Sequence, residues 1–231
     1  LLSFLYFLEV YLKLRIRNKT SPIDIYYENL SLDCYKFFEK EMKNSSIFIK
    51  PTDIRKYAVS RGISNSKDKN DLFLEFGVFR GESINTFSKI LKERNLKIYG
   101  FDSFEGLEED WSMNEYNPIG TFSLNKKKPH VPNNANLIQG KVQNTLEEFL
   151  KKNKEKKIIF SHMDMDTYTP TKFTLLKIKP FLTKGSVLLF DQFYGYPNWQ
   201  NHEFRAFKEV FNDEEYKYIA FCESEVAIEI L

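Results

Sequence analysis

The sequence lacks the features of several large functional classes. Its 231 residues contain only two cysteines, Cys34 and Cys222, and these lie too far apart in the chain to suggest a metal cluster. Such sparse cysteine suits a reducing compartment, so we expect a cytoplasmic protein. The 34 basic residues nearly balance the 32 acidic ones and the two signs are mixed along the chain. A nucleic-acid-binding surface is therefore not expected.

The chain also lacks a hydrophobic run long enough to cross a membrane. Its most apolar stretch, residues 1–14, is interrupted by Glu9 and Lys13, and it has neither the basic region nor the cleavage site of a signal peptide. We expect a helix that packs on the domain or on a second subunit, which favours a homodimer. A helix lying in a membrane interface is the alternative. The first residue is leucine rather than methionine, which leaves open an N-terminus further upstream.

A strand–turn–helix–strand pattern is the most informative part of the sequence. The apolar run Leu72–Phe76 is typical of a buried parallel strand, and Gly77 and Gly81 bracket the turn that follows it. A helical spacing of apolar residues then leads into a second strand, Lys97–Phe101, with Asp102 at its end. Ligands bind at the carboxyl ends of strands in open α/β sheets, so this unit predicts half of a nucleotide-type cofactor site.

The residues around the turn favour S-adenosylmethionine over a dinucleotide. The segment from Gly77 to Gly81 lacks the middle glycine of G-x-G-x-x-G, which argues against an NAD-dependent oxidoreductase. Glu75 suits the ammonium of an amino acid, and free amides at the helix start near Ser83 suit its carboxylate. Asp102 suits ribose hydroxyls. The alternative is that both acids only cap a structural unit.

Strands and helices alternate again after a long irregular segment at residues 107–132, which we interpret as a lid. The predicted strands beyond it are Asn136–Gln139, Ile158–Met163, Ser186–Phe190, Tyr216–Cys222 and Val226–Leu231. The predicted helices are Leu32–Met42, Pro51–Val59, Thr145–Lys152, Thr171–Leu182 (ended by Lys184 and Gly185) and one through His202–Phe211. The alternation predicts a mainly parallel α/β sheet with a closing antiparallel hairpin. Residues 1–70 are predicted to form a helical extension or lid, and residues 71–231 the main domain.

A second polar group follows two neighbouring strands. Asp164 comes directly after one predicted strand, and Asp191 and Gln192 come after the next. Two carboxylates and an amide suit a hard divalent cation such as Mg²⁺, which would lower the pKa of an acceptor hydroxyl. Asp164 is also placed to act as a general base. Simple capping and edge roles for these acids remain the alternative to metal binding.

Three ordered segments, FDSFEGLEEDW, HMDMDTYTPT and LLFDQFYGYPNWQNHEFRAF, resemble the macrocin O-methyltransferase (TylF/MycF) family of class I S-adenosylmethionine-dependent methyltransferases. The resemblance covers about residues 70–231. It implies a Rossmann-like, seven-stranded, mainly parallel sheet and methyl transfer to a hydroxyl of a small molecule such as a sugar or phenol. It also implies Mg²⁺ assistance, as in the antibiotic-sugar enzymes. Gln192 departs from the family's acidic pair and removes one charge, so the ion should be held less tightly.

These arguments together define the predicted site residues. The predicted cofactor-binding residues are Glu75, Phe76, Gly77, Gly81, Ser83, Asp102, Ser103, Phe104, Gly106 and Gly140. The predicted metal ligands are Asp164, Asp191 and Gln192, and Asp164 is also the predicted catalytic base. The predicted acceptor-pocket residues are Trp111, Tyr168, Tyr194, Trp199 and His202, for several of which plain packing is the alternative. Two other functions stay open: an NAD-dependent oxidoreductase, and a non-catalytic domain that binds S-adenosylmethionine or S-adenosylhomocysteine.

Overall fold

Residues 21–113 and 115–231 are described by a computed structural model, so the predicted helix at residues 1–14 lies outside the described part. The strands are β1 (Ser46–Ile47), β2 (Leu72–Phe76), β3 (Ile98–Asp102), β4 (Trp111–Ser112), β5 (Tyr116–Asn117), β6 (Ala135–Gln139), β7 (Ile158–Met163), β8 (Leu182–Phe190), β9 (Tyr216–Cys222) and β10 (Glu225–Ile230). The helices are α1 (Pro22–Lys43), α2 (Pro51–Asn65), α3 (Glu82–Lys92), α4 (Val142–Lys152), α5 (Tyr168–Ile178) and α6 (Glu203–Val210). None of the described helices combines the length and apolar character needed to cross a bilayer.

Within the described residues, one sheet has the order β1-β9-β10-β8-β7-β2-β3-β6, and β4 and β5 form a separate ribbon. Only β10 runs antiparallel to its neighbours in this sheet. The chain moves outward from β2 through β3 to β6 and then returns to β7 on the other side of β2. This reversal creates a topological switch point between β2 and β7, where open α/β sheets bind their ligands.

The predicted parallel α/β architecture and its closing hairpin are confirmed, but the described sheet has eight strands rather than seven. The extra strand, β1, is two residues long and pairs with β9 through Ser46 and Ala220. It comes from a region predicted to be mostly helical. So short a strand has no hydrophobic periodicity of its own, and its pairing with a distant edge strand defines it.

The helix after β7 was predicted with the wrong bounds. The prediction ran to Leu182 with Lys184 and Gly185 as its end, whereas α5 ends at Ile178 and both residues belong to β8. A 3-10 turn, Lys179–Phe181, separates the two elements. Its Pro180 has no backbone N–H to donate, which ends the helix earlier than the glycine signal suggests.

Contacts divide the chain into one unit that ends at Glu39 and a second from Lys40 to Leu231. In the first, the described residues belong to α1 apart from Ser21. In the second, β2 and β7 are buried along their whole length, and α2 contributes fully buried side chains such as Ile54 and Ala58 to the core. The sequence assigns α2 to an extension, yet its residues pack against those of β7 and β8.

Candidate functional site

The residues that follow three of the strands are held together by backbone hydrogen bonds at the carboxyl edge of the sheet. The Gly77 amide donates to the Phe101 carbonyl at 3.0 Å, and the Asp164 amide donates to the Phe76 carbonyl at 2.8 Å. The Asp191 amide donates to the carbonyl of the last residue of β7 at 3.0 Å. These bonds continue the strand pairing beyond the strands themselves. The switch point therefore places Gly77, Asp164 and Asp191 side by side.

This arrangement of the backbone requires glycine at position 77. Its φ is +88°, and a Cβ on it would lie 1.7 Å from the Asp164 carbonyl oxygen. Glycine is the residue that combines a left-handed conformation with such close backbone approach.

A cavity of about 280 Å³ opens at this edge. Ten of the predicted site residues line it: Phe76, Gly77, Asp102, Ser103, Gly106, Trp111, Gly140, Asp164, Asp191 and Gln192. Sequence reasoning missed other lining residues, among them Phe79, Phe122, Lys141 and Asp166. Phe79, Phe122 and Asp166 have positive φ values, a conformation that single-sequence patterns do not reveal for these residue types. The cavity thus joins the two predicted halves of the site.

Asp102 organises the cofactor side through backbone amides. Its Oδ2 accepts hydrogen bonds from the Val78 amide at 2.8 Å and the Phe79 amide at 2.7 Å. Its Oδ1 accepts one from the Phe104 amide at 2.6 Å. The carboxylate thereby fixes the turn after β2 and the turn after β3 in one arrangement. Phe104 is itself buried and does not line the cavity, and a ribose contact of Asp102 stays a prediction.

Glu75 lies beneath the cavity rather than in it. Its side chain is 0 % exposed, and its Oε1 accepts a hydrogen bond from the Ser83 hydroxyl. Neither of these residues lines the cavity, and neither does Gly81. The other carboxylate oxygen, Oε2, is buried and has no hydrogen-bond partner among the described residues. Glu75 links β2 to α3 through Oε1, and its contact with the cofactor's ammonium stays a prediction.

His162 lies between two acidic groups in the core. Its Nδ1 is 3.2 Å from Glu75 Oε1, and its Nε2 is 3.8 Å from Asp191 Oδ1, an ion-pair distance rather than a hydrogen bond. Burial by itself lowers the pKa of His162, but Asp191 and Glu75 outweigh it and raise that pKa to about 10. The imidazolium therefore lies between the carboxylates of Glu75 and Asp191 and interacts with both.

Asp191 already has partners. Its Oδ1 lies 2.5 Å from Arg55 Nη2, and its Oδ2 accepts a hydrogen bond from the Gln192 amide nitrogen at 3.1 Å. Burial opposes its ionisation, but His162 and Arg55 hold the pKa of Asp191 down at about 2. This predicted metal ligand is therefore an ion-paired carboxylate.

Two other acids near Asp191 have raised pKa values. Burial, and then the charge of Asp191, raise the pKa of Asp164 well above its usual value and that of Asp166 to about 7. Glu203, at the start of α6, is 0 % exposed and accepts the Met165 amide at 3.3 Å and the Gln192 amide at 3.2 Å. It thus ties the loop after β7 to the loop after β8. A carboxylate whose pKa is raised, as those of Asp164 and Asp166 are, is suited to take a proton near neutral pH.

A comparison with protein-family models matches residues 74–193 to a methyltransferase domain, which is more than half of the chain. The chain belongs to this methyltransferase family. Its cofactor is therefore S-adenosylmethionine, and the NAD-dependent alternative is not favoured. A search of curated protein sequences gave no match at the significance threshold.

Solved structures share the fold of this methyltransferase. The calicheamicin methyltransferase CalS11 is 20 % identical with a TM-score of 0.63, and the match covers 91 % of this chain and 93 % of that one. The O-methyltransferase NovP is 18 % identical with a TM-score of 0.58, covering 78 % of each chain. An apo form of CalS11, described as a TDP-rhamnose 3'-O-methyltransferase, is 23 % identical with a TM-score of 0.58 over 77 % of this chain and 78 % of that one.

On the acceptor side of the methyltransferase, Trp111 alone of the predicted aromatic residues lines the cavity. It is 3 % exposed, and its ring lies 6.5 Å from that of Phe122, another lining residue. The structure places the other predicted acceptor residues outside the lining: Tyr168, Tyr194, Trp199 and His202. The Tyr168 hydroxyl donates to Glu209, and the Trp199 ring packs on Phe204 at 4.6 Å. Tyr168 and Trp199 thus have partners away from the cavity lining, and acceptor contacts of these four residues stay predictions.

His162 predicts a pH dependence of the methyltransferase's stability. Because its native pKa of about 10 lies above its ordinary value of 6.5, the stabilisation is complete below pH 6.5 and is lost as the pH rises through 10. We expect the free energy of unfolding, measured by urea denaturation, to fall across this window. His162→Gln should be less stable at neutral pH and should show a flatter dependence. Parallel curves for the two proteins would assign the pH effect to other groups.

Proposed function

We propose that the protein transfers the methyl group of S-adenosylmethionine to a hydroxyl of a small molecule, with Asp164 as the general base. One observation carries this proposal: a partly buried carboxylate with a raised pKa lines the cavity at the switch point of a methyltransferase fold. The descriptions of CalS11 and NovP as O-methyltransferases support a hydroxyl acceptor.

The cofactor side is proposed to be the part of the cavity lined by Phe76, Gly77, Asp102, Ser103, Gly106 and Gly140. S-adenosylmethionine bound there supplies the methyl group. The backbone of the turn after β2 is fixed by Asp102 and leaves room for close approach at Gly77. These features favour a preorganised pocket over one that forms around its ligand.

The acceptor side is proposed to lie between Asp164 and the aromatic wall of Trp111 and Phe122. The wall excludes water and orients the acceptor, and such positioning contributes much of the rate of a displacement reaction. The acceptor's hydroxyl proton passes to a carboxylate oxygen of Asp164. Glu203 holds the loop that carries Asp164, which keeps that oxygen in place.

A divalent cation is compatible with part of the predicted ligand set. The Gln192 Oε1 atom is buried and has no hydrogen-bond partner among the described residues. This oxygen and the Asp164 carboxylate are donors of the kind that Mg²⁺ prefers, and Mg²⁺ held there would lower the pKa of an acceptor hydroxyl. Mg²⁺ assistance through Asp164 and Gln192 is therefore part of the proposal.

We further propose a cytoplasmic homodimer that acts on a small molecule and not on nucleic acid. The chain has only two cysteines and both are buried, as expected in a reducing compartment. The charges are nearly balanced, which does not favour a nucleic-acid surface. Size-exclusion chromatography with light scattering tests the dimer.

Calorimetric titration with S-adenosylhomocysteine, in Mg²⁺ and again in EDTA, tests the cofactor proposal. We expect binding in both conditions, because the residues of the cofactor side do not include the cation ligands. Absence of binding in both would refute the proposed function. A screen of hydroxyl compounds for methyl transfer then separates an enzyme from a non-catalytic domain that only binds the cofactor.

A further inference from the structure

Arg55 brings a fixed positive charge to the acceptor side from outside the matched family segment. Its Nη2 lies 2.5 Å from Asp191 Oδ1 and 2.7 Å from Glu225 Oε1, and its Nε donates to the same Glu225 oxygen at 2.9 Å. The Arg55 side chain is 21 % exposed, that of Asp191 14 % and that of Glu225 3 %. The guanidinium is therefore held between two largely buried carboxylates rather than extended into solvent.

The contacts around Asp191 leave little for a metal ion to bind. Oδ1 faces the Arg55 guanidinium at hydrogen-bond distance and His162 Nε2 at 3.8 Å. Oδ2 accepts the Gln192 amide nitrogen at 3.1 Å. A divalent cation on Oδ1 would have to displace Arg55, because two positive charges at one carboxylate oxygen repel each other strongly in a largely buried place. A cation on Oδ2 would have to displace the Gln192 amide.

We infer that Arg55 is the resident cation of Asp191 and occupies the place on this carboxylate that the sequence assigns to a metal. Asp164 and Gln192 then remain as the oxygen donors for a metal ion. Arg55 is thus a positioning residue that keeps Asp191 charged and oriented and reduces the affinity of the site for divalent cations. The effect on methyl transfer rests on the proposed function, whereas the effect on cation affinity does not.

Manganese binding, followed by electron paramagnetic resonance of free Mn²⁺, tests the inference without an acceptor. We expect Arg55→Met to bind Mn²⁺ at least about tenfold more tightly than the wild type, the scale on which residues around metal ligands act. Arg61→Met is the matched control, since Arg61 also lies on α2 and pairs with β10, through Nε to Glu229 Oε2 at 2.6 Å. It should leave Mn²⁺ affinity unchanged.

Asp191→Asn gives a second measurement that does not depend on the folding of Arg55→Met. If Arg55 already occupies Asp191, this change lowers the Mn²⁺ affinity of the wild type less than Asp164→Asn does, because it removes a nearby charge and not a ligand; in the Arg55→Met background it removes the gain. A loss in Asp191→Asn as large as that in Asp164→Asn, or no gain in a folded Arg55→Met, would overturn the inference. Failure of S-adenosylhomocysteine binding would instead count against the proposed function and leave the Mn²⁺ comparison intact.

Discussion

Asp164→Asn is expected to lower the rate of methyl transfer by roughly 100-fold or more, while S-adenosylhomocysteine binding stays within about threefold of wild type. Asparagine has nearly the same size, and the backbone bond from residue 164 to the Phe76 carbonyl does not involve the side chain. The amide cannot accept the hydroxyl proton, so the change removes the base and keeps the pocket. Single-turnover rates with labelled S-adenosylmethionine measure the first effect, and calorimetry measures the second.

Asp166→Asn is the matched control for this prediction. Asp166 lies on the same loop, lines the same cavity and has a raised pKa of about 7. We expect Asp166→Asn to lower the rate of methyl transfer by about tenfold or less, because it changes the charge near the base without removing the base. A larger loss in Asp166→Asn than in Asp164→Asn would transfer the role of base to Asp166.

The cofactor half of the site is largely predictable because its signals are local. Strand β2 matches its predicted bounds, since an apolar run followed by glycine specifies a buried strand and turn without reference to distant residues. Gly77 and Asp102, two of the predicted cofactor-binding residues, line the cavity. The hairpin of β9 and β10 is equally local, and its bounds differ from the prediction by at most one residue.

The partners of the buried acids are not predictable in this way. Arg55 and Asp191 are 136 residues apart in the chain, and His162 and Glu75 are 87 apart. The hydrophobic periodicity of the sequence does not reveal such long-range pairings. The local sequence around a carboxylate at a strand end is the same whether the side chain binds a ligand or an arginine. Glu75 is an example, because neither its residue type nor its place in a strand reveals that its Oε1 meets Ser83 and His162.

Which aromatic residues line the acceptor side of the cavity is hard to predict for a related reason. An aromatic residue after a strand can face a cavity or fill the core, and the local sequence is the same in both cases. Trp199 packs on Phe204 and Tyr194 on Phe221, whereas Trp111, from the long irregular segment, lines the cavity. Long segments between regular elements are therefore the better guide to acceptor contacts here.

Gly77→Ala is expected to destabilise the protein by about 3 kcal/mol or more and to weaken S-adenosylhomocysteine binding at least about tenfold. A left-handed conformation costs alanine about 1–2 kcal/mol, and overpacking adds about 1–3 kcal/mol. The φ of Gly77 is +88°, and the added Cβ would meet the Asp164 carbonyl oxygen at 1.7 Å. Because that oxygen belongs to backbone, relief requires β2 and the loop after β7 to separate. Urea denaturation and calorimetry measure the two effects.

Gly120→Ala separates conformational strain from this collision. Gly120 has nearly the same φ, +85°, but a Cβ on it would meet no heavy atom within 4 Å. It should therefore cost only the strain, about 1–2 kcal/mol, and should leave cofactor binding close to wild type. Equal destabilisation of the two variants would mean that the strands separate easily. A clear excess for Gly77→Ala means that close backbone contact between β2 and the Asp164 loop holds the cofactor turn and the proposed base in one rigid arrangement.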